Sequence, residues 1–437
     1  MTIREAGRAL RTRSVSSVEL TTRCLDQIAK LNPRLNAFIT ITAESARARA
    51  QELDRELTTG RDRGPMHGIP IAHKDLIATA GVRTTSGSKL FADYIPDFDA
   101  TIATRLNDAG AVMLGKTGLH ELAYGITSDN PHFGTIRNPR DLERSPGGSS
   151  GGSGAAVATD MAFMATGTDT GGSIRIPAAF CGVAGLKPTY GLIERSGVQP
   201  LGFTLDHIGP IARTVEDVWV SFDVMLGSTK KLRPGPSSVR GLRVGLPENF
   251  YFQHIAPDIQ AAVKQAAQKA ESLGAVVLPV KVPDVDALNT VGRVLLLVEA
   301  SSVYEPYISR RNDFGADVLS LLDQGRLVPG VDYVNAQRLR KLLVNDFRKL
   351  FDTIDCLFTP ATASTAPRIG QKQVELNGEM HDVRLATTRL VRGINVLGFP
   401  ALAIPCGESA EGLPIGLQMI GRPFEENLLL ALGAAME

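Results

Sequence analysis

No two cysteines in this chain stand close enough in sequence to grip a metal or form a redox pair. The 437 residues hold only four, Cys24, Cys181, Cys356 and Cys406. None has CxxC spacing, so zinc-ribbon and dithiol chemistry are excluded and free thiols of a reducing compartment are expected. An excess of one charge is also missing. The formal net charge of +1 gives no electrostatic basis for a nucleic acid or a membrane surface as partner. No uncharged apolar run is long enough to span a bilayer. Met1-Thr2-Ile3-Arg4-Glu5 lacks the apolar stretch of a secretory signal, so a cytoplasmic location is the expectation. The histidines never form HExxH; His120-Glu121 has no second histidine four positions on. Neither a metal nor any other cofactor is expected.

What is present suits a well-cored soluble protein with many tight turns: 43% hydrophobic residues, 21% charged residues and 43 glycines. Ser16 and Glu19 fit a capping box opening a helix that Asn32-Pro33 should end. A second helix is expected from Ala43 to Leu57. Short apolar strands follow at Ile69–Ile71, Ala111–Leu114, Met161–Ala165, Leu242–Leu246, Cys356–Thr359, Ala401–Ile404 and Gly416–Ile420. Strands of this kind alternating with helices predict an α/β sheet covered on both faces. We read one domain over 1–437. It has N-terminal helices over 1–60, a catalytic core over 65–220 and an elaboration over 240–395 lining the substrate pocket. Returning strands and a final helix occupy 396–437. Thr229–Ser238 is the best linker candidate.

Two glycine-rich serine segments stand out: Gly147-Gly148-Ser149-Ser150-Gly151-Gly152-Ser153-Gly154, then Thr168-Asp169-Thr170-Gly171-Gly172-Ser173. A flexible linker is the plain explanation, but apolar Ala155–Ala158 follows at once and Pro139 and Pro146 pin the approach. A phosphate cradle needs the Walker or the GxGxxG pattern, and neither occurs. Gly147–Gly151 does satisfy GxSxG, yet the charged, proline-bearing stretch Arg137–Arg144 is no central strand for a nucleophile elbow. The remaining reading uses both segments. Glycines before a serine let backbone N–H groups converge on a reacting carbonyl, and a serine nucleophile needs a base to take its proton. The lone lysine in Ile71-Ala72-His73-Lys74-Asp75 can serve if burial lowers its pKa by ~3 units from about 10.4. Ser149 is then a relay between Lys74 and Ser173.

These segments, with Ile174-Arg175-Ile176-Pro177-Ala178-Ala179-Phe180-Cys181-Gly182 and Gly185-Leu186-Lys187-Pro188-Thr189, resemble the amidase signature family. The interval of 24 residues from Ser149 to Ser173 (173 − 149) is also that family's spacing. The resemblance implies a large mixed sheet between layers of helices. It also implies a Ser-cisSer-Lys triad of nucleophile Ser173, cis-linked Ser149 and base Lys74. Thr170, Gly171 and Gly172 would contribute to the oxyanion hole with the Ser173 N–H. Ser150, Asp169 and Arg175 match supporting positions, and Tyr124 falls in a loop that often lines the pocket.

Three functions follow from the resemblance. The first is a stand-alone amidase that hydrolyses a small-molecule carboxamide through an acyl-enzyme, with esters, anilides or carbamates as side substrates. The alternative is the glutaminase component of a complex that makes glutaminyl-tRNA from glutamyl-tRNA, passing ammonia to partner subunits. Against the alternative, Leu119-His120-Glu121-Leu122 and Gly202-Phe203-Thr204-Leu205-Asp206-His207 depart from that component's usual residues. The third is an inactive structural relative, which the presence of all three triad residues argues against. A homodimer is compatible with the resemblance, but no residue argues for it.

Overall fold

Backbone from residue 38 to residue 421 enters one eleven-stranded sheet in the computed structural model of the chain, which describes residues 1–227, 232 and 235–437. The strands are β1 (Phe38–Ile41), β2 (Pro70–Lys74), β3 (Val112–Thr117), β4 (Met164–Asp169), β5 (Ala184–Lys187) and β6 (His207–Ala212). Then come β7 (Arg243–Pro247), β8 (Val276–Val280), β9 (Cys356–Pro360), the separate hairpin β10 (Gln373–Leu376) and β11 (Glu379–Asp382), β12 (Ala401–Glu408) and β13 (Pro414–Gly421). Their order is β1-β3-β2-β4-β6-β5-β12-β13-β9-β7-β8. β3, β2 and β4 are mutually parallel, as are β9, β7 and β8, and the strands between these groups are antiparallel. The sheet is therefore mixed. Every residue of β2, β4, β6 and β13 is buried, which requires cover on both faces.

The expected elements are found with shifted edges. Ser16 and Glu19 close a reciprocal capping box, but the helix they open runs over Ser17–Leu35, through Pro33. Pro33 lies in the last turn, where the lost N–H costs one bond. The stop comes at Asn36, which takes the left-handed conformation and returns its N–H to Asn32. β4 begins at Met164 rather than Met161 and continues through polar Thr166 and Thr168 to Asp169. β1, β5, β6, β8 and the hairpin β10–β11 lie outside the expected strands. β6 contains Pro210, a residue that argues against a central strand, yet it pairs in register with Thr166. The linker candidate falls largely outside the described residues, Thr229–Lys231 and Arg233–Pro234 included. The four cysteines are free, and three are buried.

The glycine-serine loop opens the helix Gly151–Ala158, which packs on β2, β3, β4 and β6. Its small residues are needed for that approach. A Cβ at Gly152 would lie 2.5 Å from the carbonyl oxygens of Ala37 and Gly118. Gly152→Ala is expected to cost about 1–3 kcal/mol through overpacking, measured as a lower thermal midpoint. An unchanged midpoint would show that the backbone there yields freely.

Candidate active site

β2 and β4 run side by side in parallel, with Ile71 opposite Met164 and Ala72 opposite Ala165. Their carboxyl ends therefore share one rim, the position where open α/β sheets gather ligands. Lys74 is the last residue of β2 and Asp169 the last of β4. Ser149 sits in the loop before the helix Gly151–Ala158, across a cis peptide bond from Gly148. Ser173 sits in the loop before the helix Arg175–Cys181. The Ser150 N–H donates to the Ser173 carbonyl at 3.3 Å and laces the two loops together.

Lys74 is fully buried among hydroxyls. Its Nζ lies 2.8 Å from Ser149 Oγ, 2.8 Å from Ser150 Oγ and 2.7 Å from Thr168 Oγ1. Burial pushes its pKa down to about 7, against the weaker pull of Asp169 and Asp206. A neutral amine has two protons and one lone pair, so one of the three hydroxyls must donate to it. Ser150 Oγ already donates to the Thr168 carbonyl at 3.3 Å. Ser149 Oγ has no other partner among the described residues and is free to hand its proton to Lys74. The neighbouring His73 contacts Thr166 Oγ1 at 3.4 Å, and burial lowers its pKa to about 3, so it is a packed neutral imidazole.

The second loop is held by a buried ion pair. Arg175 Nη2 and Nε reach Asp169 Oδ1 at 2.8 Å and Oδ2 at 3.0 Å, with both side chains wholly buried. Burial opposes ionisation of Asp169, but Arg175 overcomes it and holds the carboxyl well below its usual range. Asp169 also accepts the N–H groups of Gly172 at 2.8 Å and Ile174 at 3.1 Å. This corrects one expectation. The Gly172 N–H is engaged by Asp169 and is not an open donor for an oxyanion. Gly172 is required for its conformation, with φ at +121° and a notional Cβ only 2.4 Å from Val391 Cγ2. The N–H groups of Thr170, Gly171 and Ser173 and the Ser173 hydroxyl carry no hydrogen bond among the described residues.

Several residues at the site were not foreseen. Thr168 holds Lys74. Asp206 accepts the Thr170 hydroxyl at 2.6 Å. Asn395 and Gln418 bond Arg175 at 2.7 and 2.6 Å. The only sequence signal was the period-two repeat of Thr166 and Thr168, which turns both hydroxyls toward Lys74. Tyr124 is buried and lies beneath Arg384, whose guanidinium is 5.6 Å from the ring centre. A cavity of about 270 Å³ reaches Thr168 and Thr170 from the side of Gln199, Asp206 and His207.

The family model described as Amidase matches residues 19–430. The chain belongs to the amidase signature family. Members of this family are amidohydrolases that act on amide C–N bonds, and so is this chain. Among curated relatives, the glutamyl-tRNA(Gln) amidotransferase subunit of Azoarcus sp. (strain BH72) is 40% identical, over 98% of this chain and 96% of the relative. A solved amidase structure superposes with a TM-score of 0.94 at 34% identity, over 100% of this chain and 99% of that one. A structure described as a vestigial complex bearing on the origins of an s-triazine catabolic enzyme gives 0.95 at 35%, over 100% and 98%. The corresponding amidotransferase subunit from Thermotoga maritima gives 0.81 at 32%, over 100% and 94%. No helix among the described residues is long and apolar enough to cross a membrane.

The buried lysine makes a pH prediction. Its pKa is about 7 when folded and 10.5 in a model peptide. Between these values the unfolded chain binds the extra proton, so stability rises with pH across that window. Stability of the wild type relative to Lys74→Met should therefore climb from about pH 7 to about pH 10.5, measured by denaturant unfolding. A difference flat in pH would mean that Lys74 titrates normally.

Proposed function

We propose that the chain hydrolyses a primary carboxamide through an acyl-enzyme on Ser173. The observation that carries this reading is Lys74, a buried amine near neutrality bonded to three hydroxyls. As Ser173 attacks the carbonyl carbon, its proton passes to Ser149 and the Ser149 proton to Lys74. The N–H groups of Thr170, Gly171 and Ser173 receive the oxyanion, an arrangement worth roughly 3–4 kcal/mol per donor. Protonated Lys74 then returns a proton through Ser149 to the leaving nitrogen. The C–N bond breaks, ammonia departs, and the acyl group remains as an ester on Ser173. Water attacks that ester with Lys74 again as base, freeing the acid. Ser150, Asp169 and Arg175 hold these groups in place, and the continuous sheet supports reading 1–437 as one domain.

The curated relatives favour one setting for this chemistry over a generic amidase, that of the glutamyl-tRNA(Gln) amidotransferase. In that setting glutamine is the amide and its ammonia passes to a partner subunit. Overall shape does not choose between the two settings, since the chain superposes at 0.94 on one amidase, at 0.86 on a peptide amidase and at 0.81 on the amidotransferase protein. The two departing segments also touch the site. The His120 N–H donates to the Ser149 carbonyl at 3.1 Å, and Asp206 holds Thr170.

Ammonia release should be measured on glutamine and on simple amides, with the chain alone and with amidotransferase partner subunits. Ser173→Ala and Lys74→Ala are expected to lose at least ~10³-fold in kcat. Wild-type rates in either variant would overturn the mechanism. Glutamine turnover that requires the partner subunits supports the amidotransferase reading, whereas unaided turnover of simple amides supports the amidase.

A further inference from the structure

Arg392 is a buried cation with no acid of its own. It is 9% exposed, and its Nε is buried without a hydrogen-bond partner. The only hydrogen bond of its side chain among the described residues runs from Nη2 to Thr388 Oγ1 at 2.6 Å. Burial, together with the nearby charges of Arg384 and Arg293, lowers its pKa to about 10. None of these three arginines forms an ion pair among the described residues; Asp317 and Asp382 draw on Arg384 only from a distance. Asp317 is already engaged by His120 at 2.9 Å. A guanidinium left in this state is costly unless something anionic arrives to meet it.

The position of Arg392 says where that anion sits. Its stem runs between two glycines. A Cβ on Gly171 would come to 3.9 Å from Arg392 Cγ and Nε, and one on Gly292 to 3.1 Å from Cγ. Gly171 stands two residues before Ser173, in the loop with the open N–H groups. Arg384, over the Tyr124 ring, adds a second guanidinium to the same neighbourhood. A planar fork with unused donors matches a carboxylate. With ammonia as leaving group, a carboxylate at this place belongs to the acyl part of the substrate.

We propose that Arg392, assisted by Arg384, binds a carboxylate on the acyl side of the scissile amide, so that the substrates are half-amides of dicarboxylic acids. The inference rests on the amidase reading above for its chemistry, and glutamine is one member of the class. It names the group that selects the acyl chain, which no motif in the sequence reveals.

The test has two arms. First, kcat/KM is measured for succinamate and glutaramate against butyramide and valeramide, in the wild type, Arg392→Gln and Arg384→Gln. The better half-amide should exceed its uncharged counterpart by ~10²-fold, and Arg392→Gln should collapse that ratio toward one. Arg384→Gln should reduce it by ~10-fold and serves if Arg392→Gln fails to fold, judged by circular dichroism. Second, calorimetric titration of succinate and glutarate into Ser173→Ala, with and without Arg392→Gln, reads the carboxylate site without turnover. Saturable binding lost with Arg392→Gln supports the inference even if no amide is hydrolysed, in which case the hydrolytic reading alone falls. Brisk turnover of neutral amides with no half-amide preference and no dicarboxylate binding overturns the inference and leaves the amidase intact.

Discussion

Asp169 and Arg175 form a wholly buried ion pair, and both loops of the site depend on where it holds the backbone. Asp169 spends its remaining lone pairs on the N–H groups of Gly172 and Ile174, while Arg175 reaches the Val391 carbonyl at 2.9 Å and the side chains of Gln418 and Asn395. The loop after β4 is thereby fastened to a segment more than two hundred residues later. A buried pair of this kind adds little net stability against an apolar substitute, but losing one partner strands a charge at a cost of about 3–5 kcal/mol. Its value here is geometric. It fixes the direction of the N–H groups that precede Ser173.

The same pair sets the electrostatics around Lys74. Asp169 is the acid that most favours the protonated lysine, and Arg175 holds its charge in a bidentate contact on the other side. Lys74 is left with hydroxyls, which solvate an ammonium far less well than water or a carboxylate does. Burial then wins, and the amine comes near neutrality. A direct carboxylate contact would have reversed the balance and given a permanently charged lysine, unable to accept a proton. A buried lysine near neutrality thus depends on keeping acids out of direct contact with Lys74.

How much of this was legible in the sequence follows from how far apart the partners lie. Ser149, Ser173 and Lys74 could be named because the glycines around the serines and the strand before the lysine are local signals. Asp169 and Arg175 belonged to the same contiguous motif. For the oxyanion donors, a motif does not say which N–H a neighbouring carboxylate will take, and Asp169 takes that of Gly172. Thr168 lies 94 positions from Lys74, and Asn395 lies 220 from Arg175. Such pairings are made by sheet order, which neither periodicity nor composition encodes. In the fold, strands with continuous apolar character were found, whereas β6 was hidden because His207, Gly209 and Pro210 read as loop. Burial on both faces and pairing with β4 override that local preference.

Reaction and selection are drawn from different stretches of the chain. The groups proposed to move protons lie between Lys74 and Arg175, on the rim where β2 and β4 end. The cations beside them come from Arg384 and Arg392, on helices late in the sequence. Arg175 joins the two, since the carbonyl it binds belongs to Val391, the residue before Arg392. The Val391 side chain also fills the space that a Cβ on Gly172 would need, while Arg392 lies along Gly171. One buried hydrogen bond therefore registers the Arg392 backbone against the loop that carries Ser173. A shift in either segment would be felt in the other. Because that register is carried by the Val391 carbonyl and by Arg175, a change of side chain at position 392 leaves the hydrogen bond between the two segments in place.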